Sequence, residues 1–433
     1  MAPRRVTRRR FLKSAAAVLA PAIVPASALG AGQRGAPSDR VTLGAIGVGG
    51  QGTGVLRAFL GRSQALAVCD PKPERRAAVK AMVDGFYGQH KPSGGYKGCA
   101  AYADFRELIA RDDIDAVSIA TPDHWHVIPA IMAAKAGKDV ICEKPLALNV
   151  AEGRALADAI TRYGRVFQQG TQQRSDARFR FACELARNQR IGRLHTIRVG
   201  SPASGASGPL PEQPIPKDFD YDLWLGPARW APYHEGRVRT PIWYFISDYS
   251  MGFISGWGIH HVDIGQWGNG TDLTGPVEIE GVGTFPTEGA CDTATAWRVE
   301  CTYASGVKMI FADNRQEKQG VVFEGDEGWV YVRRGFIDAQ PKSLLSEKLG
   351  PNDVHLHVSH GGHQQDFING IKTRGETACP IEVAHRSNSI CQLSDIAIRL
   401  GRPLRWDPEA EQFINDAEAD RMLSRAMRAP WHL

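Results

Sequence analysis

Three stretches of this 433-residue chain hold residue types at spacings suited to chemistry. The first is Gly47-Val48-Gly49-Gly50-Gln51-Gly52, a G-x-G-x-x-G between an apolar run and a helix-like segment. Gly47 permits a tight turn, Gly49 lets the backbone approach a pyrophosphate, and Gly52 lets helix and strand pack closely. The first free N–H groups of the helix, around Gly50 and Gln51, then face the anion. Asp70 follows 18 residues beyond Gly52, where the ribose of an adenosine is held. A carboxylate there accepts from a 2′-hydroxyl and repels a 2′-phosphate, which favours NAD. Lys72, Arg75 and Arg76 stand close enough to accommodate that phosphate, so NADP stays open. The second stretch is Glu143-Lys144-Pro145. A lysine beside a bound nicotinamide can stabilise a developing alkoxide or relay its proton, and Glu143 offers a carboxylate to the ribose or to the lysine. The third is Thr121-Pro122-Asp123-His124-Trp125-His126. Pro122 ends a strand, Asp123 is placed to cap the next helix, and His126 is expected to point from the first turn toward the cofactor.

Strands that end on one sheet edge must position these stretches. Val41–Ile46, Gln64–Asp70, Ala116–Ala120 and Asp139–Cys142 read as buried strands. Helices are expected between them, at 53–60, 74–83, 102–111, 125–136 and 150–163, with a Gly-rich loop at 85–98. This alternation predicts a parallel sheet with helices on both faces, whose strand carboxyl ends collect ligands. After about residue 165 short strands follow one another without intervening helices, which predicts a mostly antiparallel sheet. Helices are expected again at 361–372, 384–399 and 415–427. The fold class is therefore α/β, with an N-terminal Rossmann dinucleotide-binding domain at 40–164. An α+β domain with a large, open, mostly antiparallel sheet follows at 165–433.

The net charge of +5 comes from one end of the chain. Residues 1–31 carry Arg4, Arg5, Arg8, Arg9, Arg10 and Lys13 and no acid; the other 46 of the 52 basic residues face 47 acidic ones. Nothing in that balanced body suggests a nucleic-acid partner. Thr7-Arg8-Arg9-Arg10-Phe11-Leu12-Lys13 resembles a twin-arginine export signal, followed by a short apolar run to Leu29. Residues 1–31 are read as that signal peptide and 32–39 as a linker. The address implies the export machinery as a partner, a periplasmic or extracytoplasmic destination, and no membrane attachment after cleavage. Free nicotinamide is absent there, so a tightly bound cofactor is expected. The eight cysteines form no C-x-x-C; Cys291–Cys301 and Cys379–Cys391 are possible disulfides, and free buried thiols are the plainer reading. His355, His357, His360 and His363 are close in sequence, but no carboxylate or cysteine completes an obvious metal site, and no metal is expected.

Together these blocks resemble the glucose-fructose oxidoreductase / inositol dehydrogenase family. The resemblance continues through Gln168-Gln-Gly-Thr-Gln-Gln-Arg-Ser175, Tyr221-Asp-Leu-Trp-Leu-Gly-Pro227, Trp257-Gly-Ile-His-His-Val-Asp263 and Arg428-Ala-Pro-Trp431. It implies hydride transfer between a nicotinamide cofactor and a sugar-like C–OH, and a homo-oligomer, dimer or tetramer. Lys144 matches the family's catalytic lysine and His260 its acid/base histidine. Gln172 and Arg174 match positions near cofactor or substrate. Trp243 and Tyr244, ahead of the histidine block, offer aromatic faces to a carbohydrate. One departure stands out: the family's D-x-x-x-H reads Gly256-Trp-Gly-Ile-His260 here. His261, Asp263 or Asp248 could supply the lost function, or the chemistry differs from an ordinary dehydrogenase. Exported NAD-dependent glycosidases of similar fold oxidise a ring hydroxyl, eliminate the aglycone, add water and reduce back, and they stand as the alternative. A non-catalytic sugar-binding role is the third.

Overall fold

Runs of three to six residues, most of them apolar and too short for helices, set the first sheet of the computed structural model, which describes residues 40–90 and 97–433. The expected signal peptide and linker lie outside the described residues, as does 91–96 of the Gly-rich loop. The strands are β1 (Thr42–Ile46), β2 (Gln64–Cys69), β3 (Ala100–Tyr102), β4 (Ala116–Ile119), β5 (Asp139–Cys142) and β6 (Phe167–Gln169). All pairings are parallel, in the order β3-β2-β1-β4-β5-β6. β4 and β5 are buried along their whole length, as strands covered by helices on both faces must be. The order reverses between β1 and β4. The crevice beyond their carboxyl ends is where such sheets bind ligands. Gly47, Asp70, Thr121 and Glu143 follow β1, β2, β4 and β5 respectively, so all stand on that edge.

Three expectations change here. The run at Arg165–Gln169, expected to open the second domain, supplies β6, so the first sheet runs past residue 164. The helix expected at 74–83 spans Pro73–His90, into the expected loop. The helix expected at 415–427 is reduced to Ala417–Asp420 and a single tight turn, Arg421–Leu423. Arg402 holds Asp416 and Glu418, and the chain beyond crosses to the first domain, where Arg425 pairs with Glu152 at 2.6 Å. A continued helix would carry Arg425 away from that carboxylate.

The second sheet has β7 (Leu194–Ser201), β8 (Glu278–Thr284), β9 (Ala296–Thr302), β10 (Lys308–Asp313), β11 (Gly320–Gly325), β12 (Gly328–Arg333), β13 (Phe336–Gln340), β14 (Leu404–Asp407) and β15 (Gln412–Phe413). Their order is β13-β12-β11-β7-β10-β9-β8-β14-β15, and only β7 and β10 run parallel. β9 alternates buried with more open positions, as a sheet covered on one face should. Helices Ala177–Arg187, Ile259–Asn269 and Ile381–Leu400 lie with the covering layer and share one apolar core with the sheet. Helix Ile259–Asn269, which carries the expected histidine block, is buried from Ile259 to Gly268.

A buried ion pair fixes that helix to the end of the first domain. Arg174 donates to Asp263 through Nε at 2.7 Å and Nη2 at 2.8 Å, and reaches Asp272 at 2.8 Å. Ser387 Oγ donates to the same Asp263 carboxylate at 2.7 Å. Arg174 is 4% exposed and Asp263 is not exposed at all, so either charge alone would be stranded. Arg174→Ala is expected to destabilise the protein by about 3 to 5 kcal/mol. Urea denaturation midpoints of wild type and variant check this; a midpoint shift worth under ~1 kcal/mol would remove the pair from the list of structural determinants.

Candidate active site

The β1 turn is built as its glycines require. Gly47 has φ +79°, a conformation that favours glycine, and its N–H donates to Cys69 O at 2.8 Å. A Cβ on Gly52 would stand 1.9 Å from Gly47 O. Helix Gly50–Phe59 starts immediately afterwards, and a Cβ on Gly50 would meet nothing within 4 Å. The loop thus offers open backbone and a helix amino terminus to an anion. Asp70 Oδ2 accepts from Val48 N at 3.1 Å and Oδ1 from Lys72 N at 2.9 Å. Burial raises its pKa, with the charge of Arg75 opposing. The Arg75 guanidinium lies 3.3 Å from where a Gly49 side chain would begin, a cation at the mouth of the anion cradle.

A cavity of about 530 Å³ opens from this turn. Gly47, Gly49, Gly50, Gln51 and Asp70 line it together with Thr121, Pro122, Asp123 and His126. Glu143, Lys144, Trp243 and Tyr244 share the same wall. The size and the mixed lining suit a cofactor site. An NAD-type dinucleotide fits the residues present: bare backbone for its phosphates, a carboxylate for its ribose, and a lysine in the same cavity. Gln51 Nε2 and Gln172 Nε2 both donate to Glu143 Oε1, at 2.9 and 3.1 Å, so Gln172 acts on the site through Glu143. Trp243 and Tyr244 stack with ring centres 3.8 Å apart, and Trp243 Nε1 donates to Thr240 Oγ1 at 3.1 Å.

His126 lines the cavity, but its ring works on the backbone. Nδ1 lies 2.6 Å from Pro145 O and Nε2 3.0 Å from Thr121 O. Burial lowers its pKa to about 4, so the ring is neutral with one N–H to donate. It ties the segment bearing Lys144 to the end of β4. Three blocks far apart in sequence close the outside of the same segment. Trp125 Nε1 donates to Leu223 O and Trp224 O, both at 3.0 Å, and His124 Nε2 meets Trp224 O at 3.0 Å. Gly226, at φ +52°, passes so close that a Cβ would stand 2.1 Å from the Trp125 ring. Trp431 packs edge-on to Trp125 at 4.7 Å, and Arg428 donates to Gly226 O at 3.0 Å.

Lys144 Nζ donates to Gly256 O at 2.8 Å, joining the lysine to the position where the family's aspartate is replaced. A Cβ on Gly256 would lie 3.3 Å from Tyr244 Cδ1; the tyrosine ring occupies the room a longer side chain needs. His260 is 4% exposed and does not line the main cavity. Burial, followed by the charges of Lys144 and Arg334, pushes its pKa well below 6.5, so its imidazole is neutral and can accept a proton. Its Nδ1 has no partner among the described residues. Gln173, with its amide oriented to satisfy both neighbours, donates to His260 O at 2.7 Å and accepts from Arg334 Nε at 3.2 Å. The Arg334 guanidinium caps the Trp257 ring at 4.6 Å.

Several expected site residues stand elsewhere. Arg174 and Asp263 are consumed by their mutual ion pair, because a buried charge must be paired, and neither lines the cavity. His261 Nδ1 bonds Gly200 O at 2.7 Å, one helical position round from the site. Asp248 pairs with the exposed Arg229 at 2.8 Å. None of His261, Asp263 and Asp248 is hydrogen-bonded to His260. The histidines near 360 bind separately: His355 to Gly350 O, His357 to Asp366, and His363 to Gln169 O and Ser175 Oγ. All eight cysteines are free and buried, so neither possible disulfide is present. Asp123 does not cap the turn that follows; its carboxylate accepts from Ser250 Oγ across 127 positions of chain, a partner that no local spacing could reveal.

Gly256→Asp is accordingly expected to lower turnover further instead of restoring a histidine partner. The new side chain must displace Tyr244 from its stack and would place a charge against the Lys144 hydrogen bond. Steady-state rates of the variant with bound cofactor check this; a rise in kcat would show that the tyrosine yields.

Comparison with known proteins agrees with this geometry. Residues 41–171 match the Gfo/Idh/MocA oxidoreductase-family model for the NAD-binding Rossmann fold, and 204–433 match the model for that family's C-terminal alpha/beta domain. The uncharacterized oxidoreductase YrbE of Bacillus subtilis is 26% identical over 70% of this chain and 81% of its own. Glycosyl hydrolase family 109 protein 1 of Shewanella sp. (strain MR-4) is 35% identical over 36% of this chain and 37% of its own. Several curated relatives are spanned over only 29% to 38% of their length. In fold, the WlbA dehydrogenase of Bordetella pertussis, solved with NADH and UDP-GlcNAcA, matches 85% of this chain and 99% of its own with a TM-score of 0.62 at 16% identity. With both of its domains matched in order, this chain belongs to the Gfo/Idh/MocA oxidoreductase family.

Proposed function

We propose that the protein is an exported oxidoreductase that moves hydride between a tightly held NAD and a C–OH carbon of a sugar, polyol or glycoside. The observation that carries this reading is that Lys144 shares one cavity with the glycine turn and Asp70. A bound nicotinamide would supply or accept the hydride. Gly47 to Gly52 would hold its phosphates and Asp70 its ribose, while Glu143, steadied by Gln51 and Gln172, would set the far end. Lys144, on the cavity wall, would hold the substrate hydroxyl and take or return its proton, and the neutral His260, outside that wall, would keep the acid/base role that the family pattern implies. Asp70 supports NAD over NADP, although Arg75 beside Gly49 leaves a cation within reach of a 2′-phosphate. The stacked Trp243 and Tyr244 would face the C–H side of a carbohydrate. A homo-oligomer, dimer or tetramer, would use the open side of the second sheet.

The arginines of 1–31 support export by the twin-arginine route, which carries folded proteins with their cofactors. Outside the cytoplasm a redox-neutral cycle needs no fresh cofactor. That consideration, with the glycosyl hydrolase family 109 relative, favours a second reading: oxidation of a ring hydroxyl, elimination of the aglycone, addition of water and re-reduction.

One assay separates the two. Protein purified with the dinucleotide it carries is offered free sugars and aryl glycosides without added NAD. Net reduction of the bound cofactor by a free sugar is the expected outcome; aglycone release without net reduction selects the second reading. A protein that neither carries nor binds a dinucleotide overturns both. Lys144→Ala should lower either activity by about 10²- to 10⁴-fold while cofactor still binds. Cell fractionation checks the address: lysine at both Arg9 and Arg10 should keep the chain in the cytoplasm, and unchanged export would refute the twin-arginine route.

A further inference from the structure

The family pattern places a carboxylate four residues before its histidine, and here that carboxylate is absent. Gly256 contributes only its carbonyl, to Lys144 Nζ, and the space beside it is taken by Tyr244. Yet the cavity holds a buried acid from the opposite side. Asp123 follows β4 on the ligand edge, is 2% exposed, and lines the cavity with Glu143, Lys144 and Tyr244. Its Oδ2 accepts from the fully buried Ser250 Oγ at 2.5 Å. Among the described residues it forms no ion pair within 4 Å, Lys144 included, so its charge is not already spent on an arginine as that of Asp263 is, and any proton it exchanges with the lysine must cross a gap.

We propose that Asp123 is the proton partner of Lys144, supplying from the first domain the carboxylate that position 256 no longer provides. The inference rests on the hydride-transfer reading above. Asp123 acts through Lys144 and is a positioning residue in that sense. In the oxidative direction a bound nicotinamide would take the carbinol hydrogen with its electron pair as hydride, and the C–O bond would become C=O. The hydroxyl proton would pass by way of Lys144 Nζ to the Asp123 carboxylate through an intervening water, leaving Lys144 in its starting state. In reduction the proton returns by the same two groups to the oxygen. No other oxidant or reductant is required.

The electrostatics fit a group that exchanges protons near neutrality. Burial pushes the Asp123 pKa up to about 7, against the opposing pull of Lys144 and the Ser250 hydrogen bond, while Glu143 adds to the rise. The other groups facing it are Tyr244, whose phenol is raised by burial and by the charges of Asp123 and Glu143 and so stays protonated, and Ser250, which is neutral. His126, across the same cavity, is neutral as well. Asp123 is therefore the carboxylic acid below about pH 7 and the carboxylate above it. Oxidation, which needs an acceptor, should gain from the ionised form.

Infrared difference spectra of the dinucleotide-loaded protein test the pairing without requiring turnover. A protonated-carboxyl C=O band should titrate near pH 7 in wild type and vanish in Asp123→Asn. Lys144→Ala, by removing the attraction, should shift the midpoint of that band to higher pH, and Ser250→Ala should shift it the same way. No band, or a midpoint unmoved by Lys144→Ala, overturns the pairing. On a sugar that reduces the bound cofactor, Asp123→Asn should lower kcat about 10²-fold and remove the rise in rate centred near pH 7, with dinucleotide affinity unchanged. A retained pH limb overturns the proton role even if kcat falls, because a merely structural loss would leave it in place. Should Asp123→Asn fail to fold, the Ser250→Ala shift decides. A protein that binds no dinucleotide sinks the hydride reading but leaves the infrared result readable, so the two failures are distinct.

Discussion

The indole of Trp125 is the constraint on which the site depends. It is 5% exposed and its N–H must find an acceptor, which it finds in the carbonyls of Leu223 and Trp224. That bond pins the irregular aromatic segment to the end of β4. Glycine at 226 is what lets the backbone approach the ring, and Trp431 seals the remaining face. The aromatic segment then has its own small core of Phe219, Tyr221, Trp224, Tyr233, Phe245 and Tyr249. Trp243 and Tyr244 ride on it into the cavity, and Ser250 rides on it to the Asp123 carboxylate behind. Three sequence blocks with no local relation are thus parts of one contact, and the contact exists to bring an aromatic wall to a Rossmann edge.

A second constraint acts from the other side. Helix Ile259–Asn269 is buried almost throughout, so the polar groups on it must be paired within the protein. Asp263 is paired with Arg174, and His261 with Gly200 O. Those partners fix the rotation of the helix. His260 Nδ1, by contrast, is buried without a partner among the described residues, close in sequence to Gly256, whose carbonyl accepts from Lys144 Nζ. A buried polar atom left without a partner costs stability, and such costs persist where a site uses them. The loss of the aspartate at 256 has not been repaired around His260; the acid we propose in its place lines the same cavity as the lysine.

Much of the first domain is legible in order along the chain. Its strands are short apolar runs, its turn is spelled in glycines with a positive φ at Gly47, and its ligand groups fall at strand ends because parallel sheets gather them there. The domain edge was less legible, because Phe167–Gln169 is a three-residue strand and only its pairing with β5 assigns it to the first sheet. The missing end helix has the same origin. Residues 415–427 have a helical pattern, but ion pairs at Asp416 and Arg425 spend the chain on other partners.

What the sequence determined by itself is everything that follows from local spacing. That includes the anion-binding turn, the acid 18 residues beyond it, the lysine after β5, and the order of two sheets of different character. What only the tertiary structure decided is which of the many polar residues near these marks remain free to act. Arg174, His261 and Asp263 lie in blocks that resemble a site, yet burial pairs Arg174 with Asp263 and turns His261 to the Gly200 carbonyl. Asp123 looks like a helix cap, yet it meets Ser250 and lines the cavity that Lys144 also lines. Spacing places a residue on an edge or a face; the fate of its charge depends on partners one or two hundred residues away, and those are fixed only when the chain has packed.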